Sequence, residues 1–292
     1  MTSGDSNAGT QPRLDGKRII VTGASTGIGK VTARELARMG ADVTLVCRDA
    51  GRGAAAQDEI AEATGRRPDL VLGDLSLLAG VRSVAAEIRQ RHAAIHVLLN
   101  NAGLIVGSFE KTSEGLERTF ATNHMAYFLL TTLLLDRLEK GSRVVSVASG
   151  AHRMVRGRLD FDDLQGEKGY ASMRAYSRSK LCNILFTRAL ARRVEGRSIV
   201  ANCLHPGAIA SNFGQSGTKF FAFLARLGRP FLLSVESGAR TSIWAASAPE
   251  AGNQNGAYFH RCRTAKTSRA ARNDEDAERL WKLSEEVAAS IP

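Results

Sequence analysis

Short runs of apolar and β-branched residues alternate along the chain with longer segments rich in Ala, Leu, Arg and Glu. The runs predict seven strands, at Arg18–Thr22, Val43–Cys47, Asp69–Leu72, Val97–Asn100, Arg143–Val147, Ser198–Cys203 and Ala257–His260. Helical segments fill most of the gaps, a pattern typical of βαβ units that build a parallel sheet. We therefore expect an α/β fold in three layers, with a mostly parallel seven-stranded sheet between two layers of helices.

The 292 residues contain no internal repeat and no low-complexity linker, so we expect one domain at 14–292. Residues 1–13 are polar and are expected to form a flexible tail. The pattern changes between Asn212 and Glu236, a segment that holds five of the eleven phenylalanines of the chain. A loop this apolar is expected to cover another surface.

The charge balance is basic, with 40 Lys and Arg against 29 Asp and Glu and a net charge of +11. Most of the cations are scattered along helical segments. The densest patch lies at 261–272, directly before an acidic run at 274–278. We interpret it as a solvated, partly self-neutralised surface and expect no nucleic-acid partner, because no nucleic-acid-binding motif accompanies it.

Cysteine usage and hydropathy bear on the compartment. Cys47, Cys182, Cys203 and Cys262 are far apart and have no histidine at ligand spacing, so neither disulfides nor a metal site is expected. The polar amino terminus lacks the apolar region of a signal peptide. The longest apolar stretch, Met125 to Leu135, is much shorter than the roughly 20 residues that cross a bilayer. These features indicate a cytoplasmic protein without a transmembrane segment.

A glycine-rich turn follows the first predicted strand. From Thr22 the sequence reads TGASTGIG and leads into a helix predicted at Ile28–Met39. Glycines let a backbone turn tightly against a pyrophosphate, whose charge is met by the helix amides. The position between a strand and a helix predicts dinucleotide binding. The expected contacts are Gly23, Ser25, Thr26, Gly27, Ile28 and Gly29.

The end of the second strand bears on the choice of nucleotide. An acidic residue there suits the ribose 2′-hydroxyl of NAD(H), whereas an arginine suits the 2′-phosphate of NADP(H). This strand ends Cys47-Arg48-Asp49, which favours NADP(H) over NAD(H) through Arg48. The alternative is a solvated Arg48 beside Asp49.

Two further strand ends suit cofactor contact. Asp74 and Leu75 follow the third strand, where a carboxylate can accept a hydrogen bond from the adenine amino group. Asn101, Ala102 and Gly103 follow the fourth strand, where small residues let the backbone lie against the adenosine. Ligands bind at such carboxyl ends in wound sheets. Turn chemistry is an equal alternative for each segment.

Four polar residues are candidates for chemistry. Tyr176 and Lys180 lie four residues apart in one long predicted helix and so share a face. A nearby cation can lower the pKa of a phenol by roughly 1–3 units, which makes Tyr176 a candidate proton donor to a carbonyl. Ser149 follows a strand, where its hydroxyl could bind a substrate oxygen. Asn123 sits within a predicted helix, where an amide side chain usually has a specific partner.

These motifs together resemble those of the short-chain dehydrogenase/reductase family, and they occur in the same order. The resemblance rests on the TGxxxGxG turn, the NNAG sequence at 100–103, the set Asn123, Ser149, Tyr176 and Lys180, and Pro206-Gly207. A narrower likeness, to the NADP-linked retinol dehydrogenase-like branch, rests on Leu45–Asp49, Ala151-His152, residues 164–168 and Tyr176–Phe186. The resemblance implies a Rossmann-like domain and a homo-oligomer.

The resemblance also implies a role for each residue. Tyr176 would be the acid–base, and Lys180 would lower its pKa and hold the nicotinamide ribose. Ser149 would orient the carbonyl, and Asn123 would support a proton-relay water. The residues that would meet the nicotinamide are Pro206, Gly207, Ile209 and Ser211.

The apolar segment near 212–236 lies where this family places its substrate lid, which predicts a lipophilic aldehyde, ketone or alcohol as substrate. The segment could instead contact a membrane surface or another subunit. We therefore expect an NADP(H)-dependent oxidoreductase. The alternative is a catalytically silent NADP(H)-binding regulatory protein.

Overall fold

The computed structural model describes residues 12–207 and 234–291. Its strands are β1 (Arg18–Thr22), β2 (Asp42–Cys47), β3 (Asp69–Leu72), β4 (Ile95–Asn100), β5 (Leu138–Val147), β6 (Val200–His205), β7 (Tyr258–His260) and β8 (Arg263–Thr264). They form one sheet in the order β3-β2-β1-β4-β5-β6-β7-β8. Strands β1 to β7 run parallel, and β8 runs antiparallel to β7.

The mostly parallel sheet is confirmed, but the expected count of seven strands misses β8. This strand is two residues long and follows β7 after a tight turn, in which Arg261 and Cys262 have φ of 52° and 55°. Hairpin turns with positive φ normally carry Gly, Asn or Asp. Because an Arg-Cys turn lacks that signature, nothing in the sequence pattern marks β8.

The helices are α1 (Gly27–Arg38), α2 (Ala50–Thr64), α3 (Leu78–Arg91), α4 (Arg118–Phe120), α5 (Ala126–Leu134), α6 (Ser172–Arg193), α7 (Val235–Ser247), α8 (Pro249–Gly252) and α9 (Asp274–Ser290). A π-helical turn, Ala121–Met125, joins α4 to α5. The sequence predicts a regular helix through this turn.

Two apolar clusters lie on opposite faces of the sheet, because neighbouring side chains of a strand point in opposite directions. Ile20 of β1 belongs to the cluster that includes α3, α5, α6 and α9, whereas Ile19 and Val21 belong to the one that includes α1, α2 and α7. This arrangement confirms the three layers. Strands β1 and β4 are neighbours although β2 and β3 separate them in sequence. Wound sheets bind ligands at the carboxyl ends of such a strand pair.

Helix α9 closes one of the two helical layers. Its Trp281 stacks on Phe186 of α6, with ring centroids 5.9 Å apart, and meets Phe128 of α5 edge-on at 5.0 Å. The guanidinium of Arg193 lies 4.0 Å from the centroid of the Trp281 ring. Helix α9 therefore covers the neighbouring faces of α5 and α6.

Several expectations concern residues outside the described ranges: most of the tail at 1–13, most of the segment near 212–236, and both Ile209 and Ser211. Within 12–207 and 234–291, no helix combines the length and the apolar character needed to cross a membrane. Those same residues contain no cluster of three or more side chains that could hold a metal ion.

Candidate active site

The glycine turn between β1 and α1 packs tightly against the loop that follows β4. Gly23 has φ of 65°, and a Cβ there would lie 2.8 Å from Cα of Ala102. A Cβ on Gly29 would lie 2.4 Å from the carbonyl oxygen of Gly23 and 2.5 Å from Nδ2 of Asn101. These distances leave no room for a side chain, so the two glycines allow the ends of β1 and β4 to meet.

The amino end of α1 begins at this turn without a neutralising group. Its N-cap, Thr26, makes no side-chain capping hydrogen bond, and the first turn holds no acidic residue. The backbone amides at the start of the helix therefore keep their positive partial charge and their hydrogen-bonding capacity for an anion. The turn fits the pyrophosphate of a dinucleotide.

The loop after β4 is bound back to the end of β1. The backbone N–H groups of Asn101 and Ala102 donate to Oγ1 of Thr22 at 2.9 and 3.0 Å, and Nδ2 of Asn101 donates to the Thr22 carbonyl at 2.8 Å. Asn101 thus holds the turn in place with its amide nitrogen. The backbone of Ala102 and Gly103 is the part of this loop that suits contact with a nucleotide.

Asp74 uses one carboxylate oxygen in the turn that precedes α3. Its Oδ1 accepts hydrogen bonds from N and Oγ of Ser76, at 2.9 and 2.8 Å. Leu75, beside it, is buried. Among the residues that the structure describes, none donates to Oδ2 of Asp74, which leaves this atom as the candidate acceptor for an adenine amino group.

At the end of β2, the acidic and basic residues have separate roles. Oδ1 of Asp49 accepts a hydrogen bond from N of Arg52 at 2.8 Å, which caps α2, and lies 3.6 Å from Nε of Arg52. Arg48 is exposed and forms no ion pair within the described ranges. Cys47 is buried beneath the glycine turn, and burial raises the pKa of its thiol despite a hydrogen bond with Ser25. Arg48 is therefore the side chain available for a cofactor at this strand end.

Tyr176 and Lys180 share one face of α6, as their spacing predicts. The Nζ atom of Lys180 lies 5.7 Å from the centroid of the Tyr176 ring and donates to the carbonyl of Val147 at 2.9 Å. Lys180 is only 2% exposed, and this burial lowers the pKa of its ammonium group to about 7. A lysine with such a pKa exchanges protons near neutral pH.

Ser149 joins Tyr176 at the carboxyl end of β5. Its Oγ caps the short helical turn Gly150–Met154 by accepting from N of Ala151 at 3.1 Å. Burial raises the pKa of Tyr176, and a hydrogen bond with the Ser149 side chain offsets this only in part. The expectation that Lys180 lowers the pKa of Tyr176 stays a prediction for the site with a cofactor bound.

Asn123 is fully buried in the π-helical turn and connects two parts of the site. Its Oδ1 accepts from N of Leu104 at 2.8 Å, and its Nδ2 donates to the Leu104 carbonyl at 2.9 Å and to Oγ of Ser179 at 3.0 Å. The side chain thus ties the loop after β4 to α6. The expected support of a relay water stays a prediction, since these hydrogen bonds all go to protein atoms. Single-turn π-helices are frequent at functional sites.

His152 lies directly behind Ser149 as a neutral structural residue. Its Nε2 accepts from N of Ser268 at 3.2 Å, so its proton is on Nδ1, which lies 2.6 Å from the carbonyl oxygen of Ser149. Burial lowers the pKa of His152 and keeps it neutral. It holds the Ser149 backbone in place.

Tyr127 is a residue of this site that sequence reasoning missed. Its ring centroid lies 5.7 Å from Nζ of Lys180, and its buried hydroxyl has no hydrogen-bond partner among the described residues. An apolar stretch surrounds Tyr127 in the sequence, and the four-residue spacing from Asn123 is the one signal that could have identified it.

Known proteins resemble this chain over most of its length. Residues 17–160 match the family model for short chain dehydrogenases. Retinol dehydrogenase 12 of Mus musculus is 42% identical over 281 residues, which are 95% of this chain and 88% of that protein. Retinol dehydrogenase 11 of Homo sapiens is 41% identical over 275 residues, covering 93% of this chain and 86% of that protein.

Solved structures agree in fold. A crystal structure of an uncharacterized protein from Mycobacterium paratuberculosis has a TM-score of 0.79 and 33% identity, with 96% of each chain covered. A short chain dehydrogenase from Burkholderia cenocepacia, in complex with NADP, has a TM-score of 0.69 and 27% identity over 85% of this chain and 96% of the other. The chain therefore belongs to the short-chain dehydrogenase/reductase family, whose members are oxidoreductases that act on CH–OH groups.

Proposed function

We propose that this protein is an NADP(H)-dependent oxidoreductase for a lipophilic aldehyde or ketone and the corresponding alcohol, with Tyr176 as the acid–base. The observation that carries the proposal is the meeting of Tyr176, Lys180 and Ser149 at the carboxyl end of β5. The glycine turn that fits a dinucleotide lies two strands away, at the end of β1.

The nicotinamide, when bound, supplies or accepts the hydride. The Ser149 hydroxyl orients the substrate carbonyl by a hydrogen bond to its oxygen. As that oxygen gains negative charge, the Tyr176 phenol donates its proton to it, and in the reverse direction the phenolate takes the proton back. Because the pKa of Tyr176 is raised, the phenol is protonated at neutral pH, which is the form that carbonyl reduction needs.

The residues that we expect to contact the cofactor lie at the carboxyl ends of the strands. The pyrophosphate would lie on Gly23–Gly29 and the start of α1, with Asp74 and the backbone of Ala102 and Gly103 around the adenosine. Lys180 would hold the nicotinamide ribose. Pro206 and Gly207 directly follow β6, and with Ile209 and Ser211 they stay the predicted contacts of the nicotinamide.

A preference for NADP(H) is supported by the separate roles of Asp49 and Arg48 at the end of β2. Asp49 caps α2 and pairs with Arg52, whereas an NAD(H) site uses a carboxylate to accept from the ribose hydroxyl. The exposed guanidinium of Arg48 suits a phosphate. The NADP complex of the Burkholderia relative is consistent with this choice.

A lipophilic substrate is supported by the phenylalanine-rich sequence near 212–236 and by the names of the relatives, which are retinol dehydrogenases. We expect long-chain aldehydes and retinal to be reduced faster than short polar aldehydes. Pockets for such substrates are mostly apolar and carry a few polar groups that fix the reacting end.

The test is the rate of NADPH and NADH oxidation with an aldehyde series, for the unaltered protein and for Tyr176→Phe. We expect Tyr176→Phe to reduce kcat by about 10²–10⁴-fold, the usual contribution of a positioned acid, with NADPH affinity nearly unchanged. Full turnover by Tyr176→Phe would exclude the mechanism. NADPH binding by the unaltered protein without turnover of any carbonyl would instead indicate the regulatory alternative.

Cofactor choice is tested separately with Arg48→Ala. Loss of its guanidinium should weaken NADPH by about tenfold or more, the worth of a charge-assisted contact, and leave NADH almost unaffected. Asp49→Ala is the matched control, since it removes a neighbouring charge and should lower stability by about 1 kcal/mol through loss of the cap. Equal losses of NADPH and NADH affinity in Arg48→Ala would place the 2′-phosphate elsewhere.

A further inference from the structure

Four exposed cations without ion-pair partners surround the β7–β8 hairpin. They are Arg153, Arg261, Arg263 and Lys266, and no carboxylate within the described ranges lies in ion-pair distance of any of them. Arg153 donates a hydrogen bond to the carbonyl of Lys266. Burial is the largest cause of the lowered pKa of His260, and the charges of Arg261, Arg263 and Arg153 lower it further. These three guanidinium groups therefore lie around the same histidine.

The acidic run at 274–278 does not neutralise this group, which corrects the expectation of a self-neutralised patch. The acidic side chains pair with other arginines: Asp274 with Arg188 and Arg192, Glu278 with Arg192 and Arg193, and Glu275 and Asp276 with Arg158. The acids lie in the first turns of α9, whose packing brings Asp274 and Glu278 to arginines of α6, and Glu275 and Asp276 to Arg158 in the loop before α6. The positive charge at the hairpin is therefore uncompensated by described side chains.

An exposed apolar side chain lies beside these cations. Met154 is 59% exposed, compared with 42% for Leu72 and 39% for Phe109, the other exposed large apolar residues of the described ranges. It follows Arg153 directly in the short helical turn after Ser149. Cations that meet lipid phosphates and an apolar side chain that enters the acyl boundary are the features by which proteins bind an anionic bilayer.

The hairpin adjoins the candidate active site through two histidines. A Cβ on Gly150, next to Ser149, would lie 3.1 Å from Nε2 of His205. The His205 ring in turn stacks on that of His260, with centroids 4.8 Å apart, and His260 is the last residue before the hairpin turn. The cations are therefore found at the carboxyl edge of the sheet, where the substrate must enter.

We propose that Arg153, Met154, Arg261, Arg263 and Lys266 form a docking face for an anionic lipid bilayer. Its use, which rests on the proposed function, is to let a lipophilic substrate pass from the lipid into the site beside Ser149. A nucleic acid fits this face less well, because an exposed methionine offers nothing to a phosphate backbone and no aromatic residue of the face could stack on a base.

The test is co-sedimentation of the full chain with vesicles of phosphatidylcholine alone and of phosphatidylcholine mixed with phosphatidylglycerol. We expect binding only to the anionic vesicles. In Arg263→Glu/Lys266→Glu the affinity should fall by about 25-fold or more, since each basic residue near an anionic surface contributes about fivefold. Met154→Ser should weaken binding by about fivefold through lost apolar burial.

The matched control is Lys17→Glu/Lys140→Glu, which changes the net charge by the same amount. Both lysines are exposed and lie at the opposite, amino-terminal end of the sheet. The affinity of this control variant for anionic vesicles should stay within about twofold of that of the unaltered protein, because salt screens charges beyond about 10 Å.

Equal losses in the two double variants, or equal binding to both kinds of vesicle, would overturn the proposal. Binding to duplex DNA without binding to anionic vesicles would also overturn it and would indicate a nucleic-acid surface. The sedimentation needs no turnover, so it stays informative even if the proposed activity fails. The Arg263→Glu/Lys266→Glu variant should reduce a short water-soluble aldehyde as fast as the unaltered protein does. A slower rate would mean that the substitutions damage the active site and do not act through a docking face.

Discussion

His124 should make the protein sensitive to acid. Its ring is fully buried, with Nε2 2.9 Å from Oγ of Ser284, and Ser284 donates its own proton to the Leu280 carbonyl. His124 is therefore protonated on Nε2, and its Nδ1 has no partner among the described residues. Burial lowers the pKa of His124 to about 3, because a charged imidazolium there would have no water and no acceptor.

The size of the effect follows from this shift. In the unfolded chain the histidine pKa is about 6.5, so below that pH unfolding takes up a proton that the folded protein does not bind. The contribution of neutral His124 is fully present above pH 6.5 and is lost as the pH falls toward 3. Each pH unit in this window is worth about 1.4 kcal/mol, and the step from pH 7 to pH 5 removes about 2 kcal/mol of unfolding free energy.

The assay is urea unfolding of the unaltered protein and of His124→Leu at pH 7, 6 and 5. The variant lacks the titrating group, so from pH 7 to pH 5 the unaltered protein should lose about 2 kcal/mol more unfolding free energy than the variant does. His96→Leu is the matched control: the pKa of His96 is also lowered by burial, but the side chain is partly exposed and its slope should change less. Parallel curves for the unaltered protein and His124→Leu would refute the reasoning.

Three substitutions test other parts of the structure. Gly29→Ala places a Cβ 2.4 Å from the Gly23 carbonyl oxygen, so we expect about 1–3 kcal/mol of destabilisation and loss of NADPH binding by calorimetry; unchanged binding would mean that the turn does not hold the pyrophosphate. Asn123→Ala removes three side-chain hydrogen bonds and should cost about 2–4 kcal/mol in urea unfolding; a smaller loss would mean that water replaces them. Tyr127→Phe removes a buried hydroxyl without a described partner, so stability should stay equal or rise by about 1 kcal/mol; a clear loss would reveal a bound water at that hydroxyl.

Local patterns in the sequence predicted the parts of the fold that depend on short stretches of chain. The strands follow from runs of apolar residues, and the glycine turn follows from backbone freedom at Gly23 and the lack of a side chain at Gly29. The shared face of Tyr176 and Lys180 follows from helical spacing alone. Each of these features is determined within a few residues of sequence, which is why the pattern suffices.

The features that the sequence did not predict depend on contacts between distant residues. The π-helical turn at Asn123 belongs to a hydrogen-bonded link with Leu104 and Ser179. The raised pKa of Tyr176 results from burial by the whole site. Asp274 lies two residues after Arg272 in sequence but pairs with arginines of α6, because the packing of α9 decides its neighbours. Sequence spacing cannot rank such competing partners.

The position of α9 also limits how two copies of this chain could assemble. Its Trp281 fills the space against α5 and α6, so a second copy approaching from this side meets the outer surface of α9, where Lys282, Glu285 and Glu286 are exposed. Charged residues of that kind are depleted from the cores of protein interfaces. A homo-oligomer that joined directly through α5 and α6 would first have to displace α9 and expose Trp281.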